Sequence, residues 1–415
     1  MTMKSSLKHL LLPAFCLLIC LVSRAQTAIG NGKCGDNLIW TLFDTGELII
    51  SGEGDMTDFR YTPDDSTAPW YGNRTSITSV TIEMGVTSIG NFAFSDCTSL
   101  RSISIPKSIN RIGLNAFSCC SSLTDITIPE KVTSIGSTAF QNCSSLTNIT
   151  LCEGVGEIGN LTFQYCTSLT SIYIPASVNS IGAFAFLGDS SLDCIEVDSN
   201  NAVYDSREGC NAIIHSASNN LLTGCKNTVI PDGITSIGSY AFSSCTSLES
   251  INIPASVTYI RENAFSHCNS LHTITFPKNS SLTHIGDGGF EDCSTLSRID
   301  IPANVINIGE KAFAGCSALK EIHSLNPKPP RAEQNTFTDV DVEHTVLFVP
   351  EGSVKDYSYA FGWEQFTNIV EEKTTSLAPP TINSSEPIVY NMQGMPASPY
   401  AKGIYIEERK IKLRF

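Results

Sequence analysis

The feature that most constrains this chain is a self-similarity with a period of 23 residues. Phe94, Phe117, Phe140, Phe163 and Phe186 follow one another at that step, and Cys97, Cys120, Cys143 and Cys166 keep it three residues later. A second block repeats the arrangement with Phe242, Phe265, Phe290 and Phe313, accompanied by Cys245, Cys268, Cys293 and Cys316. Its one step of 25 is absorbed by Lys278-Asn279-Ser280-Ser281. Length alone suggests two or three globular domains, but a unit this short cannot bury its own apolar face. It must stack on copies of itself, each repeat forming one coil of a solenoid.

Within one unit, Leu146, Ile149 and Leu151 alternate as a short strand facing a core. Proline closes the strand in sister repeats, at Pro106, Pro129 and Pro175, because it cannot donate to a ladder. Val132 to Gly136 reads as a second short extended segment, with Gly136 supplying backbone freedom at the corner. Ala139-Phe140 with Cys143 reads as a single helical turn over the core. The fold class expected is a β-rich solenoid, with leucine-rich-repeat coils of about 23 residues between an N-terminal and a C-terminal cap.

Residues 77–323 form the solenoid on this reading. From Phe186 to Phe242 the gap is 56 residues, ten more than two periods, so the stretch 194–230 reads as a variant coil with an inserted loop. Open ends would expose core and strand edges, so the flanks should be caps. Residues 26–76 supply one, with a hairpin of Leu38–Leu42 and Leu48–Ser51; residues 324–372 supply the other. A Thr/Ser/Pro-rich linker, 373–387, then leads to a short β tail, 388–415, read as two strands.

Residues 1–25 have the layout of a cleavable secretory signal: Lys4 and Lys8, an apolar run of 13 residues from Leu10 to Val22, then Ser23-Arg24-Ala25. Such a run is well short of the roughly 20 residues that span a bilayer, and no later segment is long and apolar enough to do so. Export is therefore expected, with no transmembrane segment after cleavage. Losing Lys4, Lys8 and Arg24 takes the formal charge from -15 to -18. A surface that acidic, without a Lys/Arg stripe, repels phosphate backbones, so nucleic acid is not an expected partner.

The unit Val-Thr-Ser-Ile-Gly-x-x-Ala-Phe-x-x-Cys-x-Ser-Leu-x-x-Ile-x-Ile-Pro runs twice between Val132 and Pro175, with Cys152 where the first strand's proline is expected. It resembles the BspA-like leucine-rich repeats of anaerobic Gram-negative bacteria, over roughly residues 34 to 370. The resemblance implies a secreted or surface-attached protein that adheres to host extracellular proteins, other cells or glycans. It transfers no binding residue, because the repeat motif is the signature of a scaffold. Tyr390 to Gly394 with Lys402 to Ile406 looks like the end of a type IX sorting domain; a β-hairpin tail without a sorting role is the alternative.

No chemistry-bearing constellation stands out. Metal sites want Cys and His converging on a point, whereas these cysteines recur once per coil in a line; they read as buried thiols used as small core hydrophobes. Cys119-Cys120 and the off-line Cys152, Cys194, Cys210 and Cys225 are disulfide candidates in an oxidising compartment, Cys210 with Cys225 first. His267 and His272 read as solvent-facing turn residues, and Gly286 to Gly289 lacks EF-hand spacing. No cofactor, metal site or catalytic residue is expected. An enzyme would need carboxylates assembled on the variant loop, from Asp198, Asp205 and Glu208.

The informative surface is the strand face turned away from the core. Its binding candidates are Asp125, Asn148, Tyr173, Asn252, Arg298 and Asp300, set among serines and threonines. Such a face offers many weak hydrogen bonds and few aromatic or arginine anchors. The expected function is extracellular binding of protein ligands by extended contact, as an adhesin. Glycan capture is the alternative, favoured if Tyr173 and Tyr204 gather into one sugar-stacking platform.

Overall fold

The computed structural model describes residues 26–61, 67–372, 389–391, 396–397, 403–407 and 410–414. The signal segment and the linker expected at 373–387 lie outside them. The described residues fall into two units, divided between Val370 and Glu371.

The larger unit is the expected β-rich solenoid. In a regular coil, a strand such as Asn148–Leu151 pairs in parallel with Asp125–Ile128 of the coil before, Ile149 opposite Ile126 and Leu151 opposite Ile128. After a turn the chain forms a second, two-residue strand, Glu157–Ile158, held in parallel between Ser134–Ile135 and Ser180–Ile181. Identical registers put equivalent residues above one another, so the apolar positions of successive regular coils line up in columns.

The third side of each coil departs from the expectation. Ala139, Phe140 and Cys143 do not form a helical turn: Thr138 and Asn142, two residues either side of Phe140, have φ of 54° and 58°. These two left-handed residues, four apart, interrupt any helical run there. The N–H groups of Thr138, Phe140 and Asn142 consequently point along the solenoid axis, donating to the carbonyls of Asn160, Thr162 and Gln164 in the next coil, each at 2.8 Å. The turn is thus a ladder in its own right. The corner glycine also serves a different purpose. Gly136 does not have a positive φ, but a Cβ there would lie 2.5 Å from the Gly113 carbonyl carbon of the preceding coil. It permits close approach rather than an unusual dihedral.

The phenylalanines stack. Centroid separations run 5.3, 5.2, 5.7 and 5.3 Å from Phe94 through Phe117, Phe140 and Phe163 to Phe186. A second stack runs from Phe242 through Phe265, Phe290 and Phe313 at 4.9, 5.2 and 5.4 Å. It then continues to Phe337 at 5.7 Å, so the stretch assigned to the C-terminal cap begins with one more rung. A tryptophan closes each end: Trp70 lies on Phe94 at 5.7 Å and Trp363 on Phe337 at 5.2 Å. Both are buried, and their indole N–H groups donate to the carbonyls of Ala93 and Pro330 at 2.8 and 2.7 Å.

The N-terminal cap contains the expected hairpin, Leu38–Phe43 with Glu47–Gly52, plus an outer strand, Ala28–Lys33. Glu47–Gly52 pairs in parallel with Ser79–Ile82 and so templates the first coil. At the other end Val346–Pro350 extends the long-strand face beyond Glu321–Ser324. In the smaller unit, the described residues form a sheet of four short strands rather than two.

The inserted loop is a β-hairpin. Ala212–His215 pairs antiparallel with Asn220–Gly224, which resumes parallel pairing with Ser236–Ile237. Alternate residues of Ala212–His215 face opposite ways: Ile213 belongs to the core of the first block, Ala212 and Ile214 to that of the second.

Candidate binding face

Because strand registers match, the outward residues of the long-strand face fall into two columns. Asp125 stands opposite Asn148, and Thr127 opposite Thr150. Beyond them Ser171 and Tyr173 pair with Cys194 and Glu196. After the variant coil, Ser250 and Asn252 pair with Thr273 and Thr275, and Arg298 and Asp300 with Glu321 and His323. Asp125 and Asn148 are exposed neighbours, and Asp125 lines a cleft of about 310 Å³ with Lys107, Glu130 and Cys152.

The remaining candidates are less available. Tyr173 is 42 % exposed, but its hydroxyl donates to Asp198 Oδ2 at 2.5 Å, and that bond pushes its pKa up to about 12. Asn252 accepts the hydroxyl of Thr275 in the next coil. Arg298 is tied down on the face itself: Nε donates to Asp300 Oδ1 at 2.9 Å and Nη1 to Glu321 Oε2 at 3.3 Å. Further along, His323 is buried against the ring of Phe348 at 4.3 Å. Tyr173 and Asn252 fall on opposite sides of the variant coil, so the six candidates do not form one patch.

The sugar-stacking platform does not assemble. Tyr204 is buried, and its hydroxyl accepts the Ile181 N–H at 2.9 Å, which puts the ring in the core. Nor do the loop carboxylates converge: Asp205 is paired with Arg207 at 2.6 Å, while Asp198 is taken by Tyr173 and Asn200. Cys210 and Cys225 are separate thiols, not a disulfide. Cys210 belongs to the second core cluster, whereas Cys225 belongs to the first and points its sulfur at the Asp193 and Asn211 carbonyls. Cys119, Cys152 and Cys194 are also free thiols.

The cysteine line is buried and unpaired, and it does more than fill space. Cys120, Cys143 and Cys166 each donate S–H to the carbonyl of Phe94, Phe117 and Phe140 in the preceding coil, at 3.1 to 3.2 Å. Among the described residues, no cluster of three or more His, Cys, Asp or Glu side chains is arranged to hold a metal. No described helix is long and apolar enough to cross a membrane.

The BspA-type leucine-rich-repeat region matches the chain over residues 70–193 and 214–374, in six copies, leaving out the start of the inserted hairpin. The chain belongs to the BspA-type leucine-rich-repeat family. Solved structures share the fold of this BspA-type protein. A leucine-rich cell surface protein from Faecalibacterium prausnitzii is 25 % identical, covering 84 % of this chain and 97 % of that one at a TM-score of 0.54. A leucine-rich-repeat protein from Eubacterium ventriosum is 23 % identical, with 82 % and 85 % covered at 0.56. The pneumococcal vaccine antigen PcpA is 18 % identical, with 84 % and 100 % covered at 0.60. No curated protein matches the BspA-type chain by sequence.

Proposed function

We propose that this BspA-type chain is a non-enzymatic, secreted or cell-surface binding protein, an adhesin that engages host extracellular proteins or other cells through its strand face. The observation that carries this reading is the register-matched pair of outward columns, in which Asp125 and Asn148 with Thr127 and Thr150 present exposed polar groups at strand spacing. A rigid repeating face of this kind gains affinity by adding weak contacts along its length. The similarity to a cell surface protein of Faecalibacterium prausnitzii supports an extracellular site of action. The burial of Tyr204 weighs against glycan capture by an aromatic platform.

The test is binding of the full chain to panels of matrix proteins and polysaccharides at physiological salt, beside an Asp125→Arg/Asn148→Arg variant that melts normally. Saturable binding to a matrix protein, lost in the variant, supports the reading. Binding to polysaccharides alone, or to a matrix protein equally by both chains, overturns it.

A further inference from the structure

The stack of rings is broken between Phe186 and Phe242, because the intervening hairpin carries no Ala-Phe turn. A cleft of about 430 Å³ lies at the break, lined by Phe184, Phe186, Asp189, Thr223, Tyr240 and Phe242. Its mouth is marked by Phe184, 40 % exposed, whose ring meets that of Tyr240 edge-on at 4.7 Å.

The polar groups of this cleft are those of an interrupted ladder. One coil earlier, the N–H groups of Leu161, Phe163 and Tyr165 donate to the carbonyls of Ala183, Ala185 and Leu187 at 2.8 to 2.9 Å. The corresponding N–H groups of Phe184, Phe186 and Gly188 have no acceptor among the described residues. On the far wall the Ser239 and Ser243 carbonyls accept nothing from the described residues, and Ala241 is served by Gly224 N–H at 2.9 Å. Asp189 stands where a ladder cysteine is expected, three residues after Phe186. It is 8 % exposed, and its Oδ2 has no partner among the described residues.

We propose that this break is a binding cleft for a peptide segment of another protein, one that inserts an aromatic side chain as the missing rung. A row of alternate N–H donors calls for alternate carbonyl acceptors, which in every complete pair of coils are supplied by peptide backbone. Phe186 already stacks on the ring of Phe163 of the preceding coil, and it lines the cleft where the next ring of the stack is missing. Carbohydrate hydroxyls can accept as well as donate, but they do not repeat at the two-residue backbone spacing of these N–H groups. This cleft lies on the turn side of the coils and is independent of the strand-face reading.

The experiment titrates the full chain with a labelled peptide of this chain's own turn, Gly-Ser-Thr-Ala-Phe-Gln-Asn from residues 136–142. Saturable binding is expected, weakened about thirtyfold when the peptide's phenylalanine is replaced by alanine, as for a buried aromatic anchor. Thr223→Trp, which fills the cleft, should abolish it with the melting curve intact; if that variant melts early, Ala183→Trp at the rim serves instead. No binding, equal binding of the alanine peptide, unchanged binding to the filled cleft, or equal binding of phenylalanine amide alone would each overturn the proposal.

Discussion

Asp189 Oδ1 accepts the backbone N–H of Cys166, one coil back, at 2.9 Å. The carboxyl is buried, and burial holds its pKa well above the ordinary 3.8, the hydrogen bond from Cys166 opposing this only in part. The folded chain therefore retains a proton that the unfolded chain releases. The stability this group contributes is present in full below the unfolded value and drains as pH rises towards the folded one. Asp189→Asn keeps an acceptor and removes the titration. From about pH 4 upward the melting temperature of the natural chain should fall relative to the variant; parallel curves would mean that the carboxyl is ionised in the fold.

The cysteine line sets a second limit, at the alkaline end. Burial pushes the thiols of Cys97, Cys245 and Cys316 up to about 12, from an ordinary value of 9.0. Unfolded thiols ionise first, so stability is complete below the ordinary value and is lost as pH rises through the folded ones. Each buried thiol contributes about 1.4 kcal/mol of loss per pH unit in that window. Denaturant midpoints at rising pH under reducing conditions should drop steeply, and replacing Cys143 with alanine should make the drop shallower while costing stability at neutral pH.

Phe140 is stacked on both faces, by Phe117 and Phe163, whereas Phe186 is stacked on one. Phe140→Ala should cost about 3 to 5 kcal/mol. Phe186→Ala should cost less, because its second face borders the cleft. Equal losses by chemical denaturation would show that the break is packed shut.

Backbone geometry gives a paired expectation. Thr138 is β-branched and sits at φ 54°, a place where the turn around Phe290 uses glycine at Gly288. Thr138→Gly should be neutral or stabilising by up to about 1 kcal/mol. Gly136→Ala should instead destabilise by about 1 to 3 kcal/mol, since the new Cβ would meet backbone atoms of Gly113 and Leu114 at 2.5 and 2.6 Å. Thermal melts of the two variants shifting in the same direction would contradict both assignments.

The periodic apolar positions make the coil legible in the sequence, because Ile, Phe, Cys and Leu recur at one step and a solenoid admits only one way of stacking them. The turn is not legible in the same way. Ala139, Phe140 and Cys143 are spaced as a helix would space them, and the left-handed residues next to them are Thr138 and Asn142, of which threonine gives no hint of that conformation. Glycine at 136 suggests dihedral freedom, whereas its reason is the backbone of a neighbour 23 residues away. Tyr204 reads as a surface aromatic in the sequence, since nothing local reveals that the hairpin folds over it. On the binding face, exposure of Asp125 and Asn148 follows from strand alternation, but the pairing of Arg298 with Asp300 and Glu321 depends on register between coils.

The strand Ala212–His215 turns one side to each core cluster. In a stack where every coil leans only on its neighbours, a strand committed to both sides acts as a bulkhead. Fraying that enters from the Trp70 end is checked there before it reaches Phe242, and fraying from the Trp363 end before it reaches Phe186. Under mechanical load along its axis, the molecule should therefore yield in two stages, keeping one half of its binding surface folded after the other has given way.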